Sequence, residues 1–246
     1  MADFLAEMQP GAAMLERSPE PNTQQPTATE AGEPLMDPAC IYPILNRPHL
    51  FGNEIELMQR TFEKAGPNYL EFGTGGSTLM AVQRGNTVVS VESDPVWAAG
   101  VRAHREIAEA IAAGRVTILH ADVGPVGEFG HPRGRNHIDH WNSYLYLPWN
   151  EWSKRGAAPD LVYVDGRFRV ACCISVIMAL GQKFASGTMP LVLMHDITDD
   201  RPFYKPVFDF FETVEAVESL YLMRVRPDVS CTTALAAMLR HQNDAR

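Results

Sequence analysis

The sequence predicts an α/β fold of the doubly wound kind. Helices cover both faces of a mostly parallel seven-stranded sheet with an antiparallel C-terminal strand, giving a three-layer αβα sandwich. Three observations predict it. Between residues 68 and 195 short apolar runs alternate with helical patterns, as parallel strands joined by crossover helices require. The first of these runs ends in a glycine-rich bend that leads straight into a helical pattern. The C-terminal runs ESLYLMRVRP and SCTTALAAMLR are separated only by a short Pro227-Asp228 junction, which leaves no room for a crossover and predicts antiparallel pairing.

At 246 residues the chain suits one large α/β domain, expected over residues 39–246. Before it, the stretch SPEPNTQQPTATEAGEP is too polar to bury a core, so residues 1–38 are expected to be a disordered leader. That leader holds seven acids against Arg17 and carries most of the formal charge of -9, leaving the domain only mildly acidic. No basic face for a phosphate backbone is expected, so nucleic acid is not a general partner. Four cysteines, Cys40, Cys172, Cys173 and Cys231, lack the density of a disulfide scaffold and the pairing of a zinc site. With no apolar stretch of membrane-spanning length and no export signal, the expectation is a cytoplasmic protein with no membrane partner.

The elements follow in order. LFGNEIELMQRTFEKAG spaces Ile55, Met58, Phe62 and Ala65 as one helix and stops at Gly66-Pro67. The strands then read NYLEF, NTVVSVES, RVTILHAD, PDLVYVDG and MPLVLMHD. The helices between them read STLMAVQRG, PVWAAGVRAHREIAEAIAAG and RFRVACCISVIMALGQKFASG. Residues 123–158 break the rhythm with Gly, Pro, His and Trp where one helix would otherwise stand, and are expected to form an acceptor-side lid. Its His131, His137 and His140 fit no zinc spacing, and Cys172 and Cys173 fall inside an apolar helix as buried structural thiols.

The bend EFGTGGST carries the functional signal. Gly73, Gly75 and Gly76 allow a sharp turn and a close ligand approach, and the helix opening at Ser77 and Thr78 offers free N–H groups to a ligand. Thr78 stands where the dinucleotide fingerprint requires glycine, and no P-loop lysine follows. Glu92 ends strand two, nineteen residues after Gly73, where an open sheet presents a carboxylate to ribose hydroxyls, and Asp122 ends strand three beside the same crevice. With Glu71 in the bend as well, a pyrophosphate would be repelled while a ligand carrying an amino group and a sulfonium would not.

These residues resemble class I S-adenosylmethionine-dependent methyltransferases over about residues 66 to 240. The resemblance implies S-adenosylmethionine as cofactor. It places Glu71 and the loop Gly73, Thr74, Gly75, Gly76 and Ser77 around the methionine part, Glu92 and Ser93 on the ribose, and Asp122 near the adenine. It also accounts for the closing antiparallel strand. Ser77 departs from the third glycine of many members.

Strand four ends at Asp165 and strand five at His195 and Asp196, all expected in one crevice where Asp165 also borders the cofactor. Methyl transfer needs an aligned acceptor and a group to receive its proton, for which His195 and Asp165 are the catalytic expectations. Asp165 and Asp196 also resemble the magnesium ligands of catechol-type O-methyltransferases, although Ile197 replaces the asparagine of that family. Arg167 and Arg169 are candidates to clamp an acidic acceptor. The sequence thus points to a methyltransferase acting on a small-molecule acceptor, at oxygen of a sugar or natural-product intermediate. A nucleotide-linked oxidoreductase and a non-catalytic methyltransferase-like binding module are the alternatives.

Overall fold

The computed structural model describes residues 45–181 and 189–246. The leader expected over residues 1–38, Cys40 and the final turn of the helix expected after strand four lie outside the described residues.

The chain enters with α1 (Gly52–Lys64), then β1 (Asn68–Phe72), α2 (Gly76–Gln83), β2 (Thr87–Glu92), α3 (Pro95–Ala103), α4 (Arg105–Ala112) and β3 (Val116–His120). It continues with α5 (Asn142–Lys154), β4 (Leu161–Val164), α6 (Arg169–Leu180), β5 (Leu191–Met194), β6 (Phe211–Val217), β7 (Leu220–Val225) and α7 (Cys231–His241). The seven strands form one sheet in the order β3-β2-β1-β4-β5-β7-β6. The first five are parallel, with Glu71 level with Ser90 on one side and Tyr163 on the other. Strand β7 enters antiparallel between β5 and β6, and β6 therefore runs with the first five.

Alternation along each strand explains the three layers, because successive side chains leave a strand on opposite faces. Leu70, Phe72, Val89, Val91, Val162, Val164 and Val192 pack on one face with residues of α5, α6 and α7. Tyr69, Val88, Leu161, Tyr163 and Leu193 pack on the other with α1, α2 and α4. The order of the sheet reverses between β1 and β4, so the crevice of an open α/β sheet falls beyond Phe72 and Val164.

Three expectations are corrected here. The closing hairpin is formed by β6 and β7, one strand earlier than expected, and SCTTALAAMLR is the helix α7. Its alanines and leucines favour helix, and the Ser230 side chain accepts the Thr233 N–H at 3.1 Å as an N-cap. The long helical pattern after β2 is two helices, because His104 is extended (φ −61°, ψ 128°) and separates α3 from α4. Within residues 123–158 the stretch Asn142–Lys154 is the crossover helix α5, and the longer irregular part is confined to residues 123–141 before it. Trp141, Tyr144, Leu145 and Trp152 turn its apolar face into the core, where all four are buried.

Candidate functional site

The glycine bend begins where β1 ends. Gly73 has φ +96°, and a side chain there would run into the backbone of Gly166, the loop after β4, at 2.7 Å. Gly76 is similarly close to the backbone of Arg47 and Pro48. Two of the three glycines thus serve close backbone packing, while Gly75, ahead of α2, faces open space. The Thr78 hydroxyl accepts the Gly75 N–H at 2.9 Å and donates to Glu71, as does the Ser77 hydroxyl.

Glu71 therefore lies beneath the bend. It is fully buried, and burial raises its pKa from 4.5 to about 8 against the opposing hydrogen bonds of Ser77 and Thr78. At neutral pH the carboxyl is uncharged, so the repulsion of a pyrophosphate expected of it does not arise. Its place in the structure is to tie β1 to the first turn of α2.

Glu92 ends β2 beside this bend. Its carboxylate accepts the N–H groups of Thr74 (3.2 Å), Ser93 (2.7 Å) and Asp94 (3.0 Å). Burial raises its pKa, and those backbone bonds oppose the rise. Thr74 is held further by Ser90 Oγ at 2.8 Å and by the indole of Trp97, which donates to its carbonyl at 2.6 Å. Over Glu92 lies Gly130, whose carbonyl accepts Ser93 Oγ at 2.9 Å and whose φ of +70° leaves no room for a side chain against Ser93 and Glu92. Residues 123–141 thus roof the end of β2. Asp122 is exposed on the approach to this segment and accepts the Gly124 N–H at 3.0 Å.

The ends of β4 and β5 carry a network of charges. His195 Nδ1 meets Asp165 Oδ1 at 3.0 Å, while Nε2 faces Glu54 Oε2 at 3.4 Å. Burial would lower the pKa of His195, but the hydrogen bond and charge of Asp165, with Asp196 and Glu54, raise it overall. A carboxylate thus faces each ring nitrogen. Burial likewise raises the pKa of Asp165, yet Arg169 and His195 outweigh it and keep the carboxylate ionised. Asp165 and Asp196 are each about a quarter exposed in their side chains, whereas His195 is buried, so the two carboxylates are what this site shows to a ligand.

Sequence reasoning missed Glu54. It sits in the first turn of α1, accepts the Phe51 N–H at 2.9 Å, and takes both the N–H and hydroxyl of Ser219 from the β6–β7 turn at 2.9 and 2.8 Å. The signal was present: an acid shares the face of α1 with the buried Leu57, Met58 and Thr61, and a buried acid needs partners. Tyr144 reaches the loop after β4 from α5. Its hydroxyl lies 3.4 Å from the Arg167 N–H and presses on Gly166.

Asp165, His195 and Asp196 bring possible metal-ligand atoms within 4.8 Å of one another. The donor set does not fit magnesium, however. Arg169, only 3% exposed, already places its guanidinium at 3.3 Å from Asp165 and 2.9 Å from Asp196, and Arg201 adds a second cation to Asp196. A divalent ion would meet these positive charges rather than the free oxygen donors it requires. Arg169 also donates to the carbonyls of Gly166 and His195 (3.0 and 2.7 Å), so it points inward and does not clamp an acceptor as expected. His131, His137 and His140 are exposed and form no metal cluster among the described residues. Cys172 and Cys173 are buried in α6, and burial raises both thiol pKa values. No helix among the described residues is long and apolar enough to cross a membrane.

The chain has the class I methyltransferase fold. A methyltransferase-like protein from Silicibacter pomeroyi is similar at 28% identity over 80% of this chain and 98% of that one, with a TM-score of 0.61. A SAM-dependent methyltransferase from Geobacter sulfurreducens, solved with S-adenosyl-L-homocysteine, is more distant at 12% identity, 72% and 73% coverage and a TM-score of 0.38. No protein-family model and no curated protein matches the sequence.

Proposed function

We propose that the protein is an S-adenosylmethionine-dependent methyltransferase that modifies a small-molecule acceptor at oxygen. The observation that carries this reading is the coupling of Glu92 to the glycine bend through the Thr74 N–H at the open edge of the sheet, on the side where Gly75 leaves space. Glu92 Oε2 accepts the Thr74 N–H and retains a lone pair for a ribose hydroxyl, so its carboxylate fits the cofactor's ribose. Thr78 supports this donor over a dinucleotide, because its fully buried side chain fills the place of the third fingerprint glycine. The likeness to the Silicibacter pomeroyi protein supports the same class.

Bound in this cleft, S-adenosylmethionine supplies an electrophilic methyl carbon on a positively charged sulfur. Glu92 holds the ribose side, with Ser93 next to it, and the backbone at Thr74 and Gly75 lines the methionine side. Asp165 would orient the acceptor hydroxyl and take its proton as the methyl carbon passes from sulfur to oxygen, the methyl–sulfur bond breaking to leave the neutral thioether. His195 is a positioning residue in this reading, not the general base expected from its ordinary pKa. Its Nδ1 is committed to Asp165 and its Nε2 faces Glu54, and the bond to Asp165 fixes the carboxylate that faces the acceptor.

Calorimetric titration of the full chain with S-adenosylmethionine, S-adenosylhomocysteine and NAD tests the donor. The adenosyl ligands are expected to bind and NAD to fail, and Glu92→Ala to weaken the adenosyl ligands at least tenfold, the scale of one charged hydrogen bond of about 1.5–3 kcal/mol. NAD binding with no adenosyl binding by a folded sample sinks the reading.

A further inference from the structure

We infer that the cavity beyond the end of β5 is an acceptor subsite selective for a hydroxylated ring bearing an ammonium group, and that it rejects anionic ligands. This rests on the methyltransferase reading for the word acceptor, but the binding selectivity stands on the cavity alone. The cavity encloses about 680 Å³, within the range of small-molecule sites. It opens between the chain that leaves β5, the β6–β7 turn and the start of α1, on the side of the sheet where the parallel strands end. At its inner end is Asp196, whose carboxylate lies 3.9 Å from His195 Nδ1 and hence next to Asp165. The cavity thus borders the proposed reacting centre through Asp196, although Asp165 itself is not part of its lining.

The walls decide the chemistry. Phe51, Phe208 and Tyr221 give aromatic faces, with Phe208 and Tyr221 in contact at 5.5 Å between ring centres and Phe51 66% exposed at the rim. Four carboxylates, Asp196, Asp199, Asp200 and Glu218, stand against two cations, Arg201 and Lys205. Both cations are already paired, Arg201 with Asp196 and Lys205 with Asp199 at 2.7 Å. The lining therefore carries an excess of two carboxylates, and Glu218, which accepts from Asn53 Nδ2 at 3.0 Å, has no cation against it among the lining residues. Aromatic faces and this excess of carboxylate charge together recognise an ammonium group, and the same side chains offer donors and acceptors to hydroxyls.

Ligand-observed NMR and calorimetry on the full chain, with D-glucosamine, D-glucose and D-glucose 6-phosphate as probes, test this. Glucosamine is expected to bind about tenfold more tightly than glucose, and glucose 6-phosphate to bind more weakly than both. Asp200→Asn combined with Glu218→Gln should remove most of the preference for glucosamine while leaving glucose unchanged, and melting curves confirm that the variant is folded. The inference is overturned if glucose 6-phosphate binds as well as glucosamine, if the variant keeps the preference, or if no probe binds to folded protein. A parallel titration with S-adenosylhomocysteine separates the two readings. Binding of that ligand without selectivity for glucosamine sinks the subsite alone, and the reverse outcome sinks only the methyl-donor reading.

Discussion

Replacing Glu71 by Gln should make the protein more stable at alkaline pH, although Glu71 is hydrogen-bonded to three hydroxyl-bearing neighbours, Ser77, Thr78 and Ser90. The reason is proton linkage. Glu71 is fully buried and its folded pKa stands at about 8, against an ordinary 4.5. Below pH 4.5 the carboxyl is protonated in both states and favours neither. As pH rises toward 8 the unfolded chain releases a proton that the folded chain keeps, so folding loses free energy across that window. With those two values the loss between pH 5 and pH 8 is about 3.5 kcal/mol. Gln has no proton to release, and its amide can still donate to one hydroxyl and accept from the other. The difference in stability between Glu71→Gln and wild type should therefore move by about 3.5 kcal/mol in favour of the variant from pH 5 to pH 8, or roughly 10 °C in the melting midpoint for a chain of this size. Urea unfolding of both proteins at half-unit pH intervals measures it. Parallel stability curves would mean that Glu71 ionises normally in the fold, and the account of the bend would fall.

Arg169→Met should cost about 3–5 kcal/mol, because Asp165 and Asp196 lose the guanidinium between them, and adding Asp165→Asn and Asp196→Asn should restore much of it; chemical denaturation reads both. Millimolar magnesium, or its chelation, should leave the melting midpoint unchanged. A magnesium-dependent rise of the size given by about 2.7 kcal/mol at a hundredfold excess over Kd would show that the ion displaces Arg169 after all. Ser230→Ala should cost about 1 kcal/mol through loss of the α7 cap, seen as a midpoint lower by about 2–4 °C.

Most of the fold was legible before any coordinates. Strands β1, β2, β4 and β5 announced themselves as short apolar runs because each is buried on both faces and needs no polar alternation, while the edge strand β3 alternates buried and half-buried residues. The bend and Glu92 were legible because glycines and an acid at a strand end are local requirements of the backbone. Where the reading failed, the deciding interaction was remote in sequence. The apolar run after Pro227 is compatible with strand or helix, and packing of Ala234 and Ala237 into the core with a Ser230 cap selected the helix. In FETVEAV the residues alternate too weakly to mark a strand, and it became one because β7 offered a partner.

The sequence by itself determined which strand ends carry Glu92, Asp165, His195 and Asp196, since the order of elements sets that. Only the tertiary structure decided what those groups are. Glu54 arrives from a helix more than a hundred residues away to hold His195, and Arg169 turns inward to take the place a metal would need. Burial and the partners that the fold supplies then oppose each other, and at Asp165 and His195 the partners prevail.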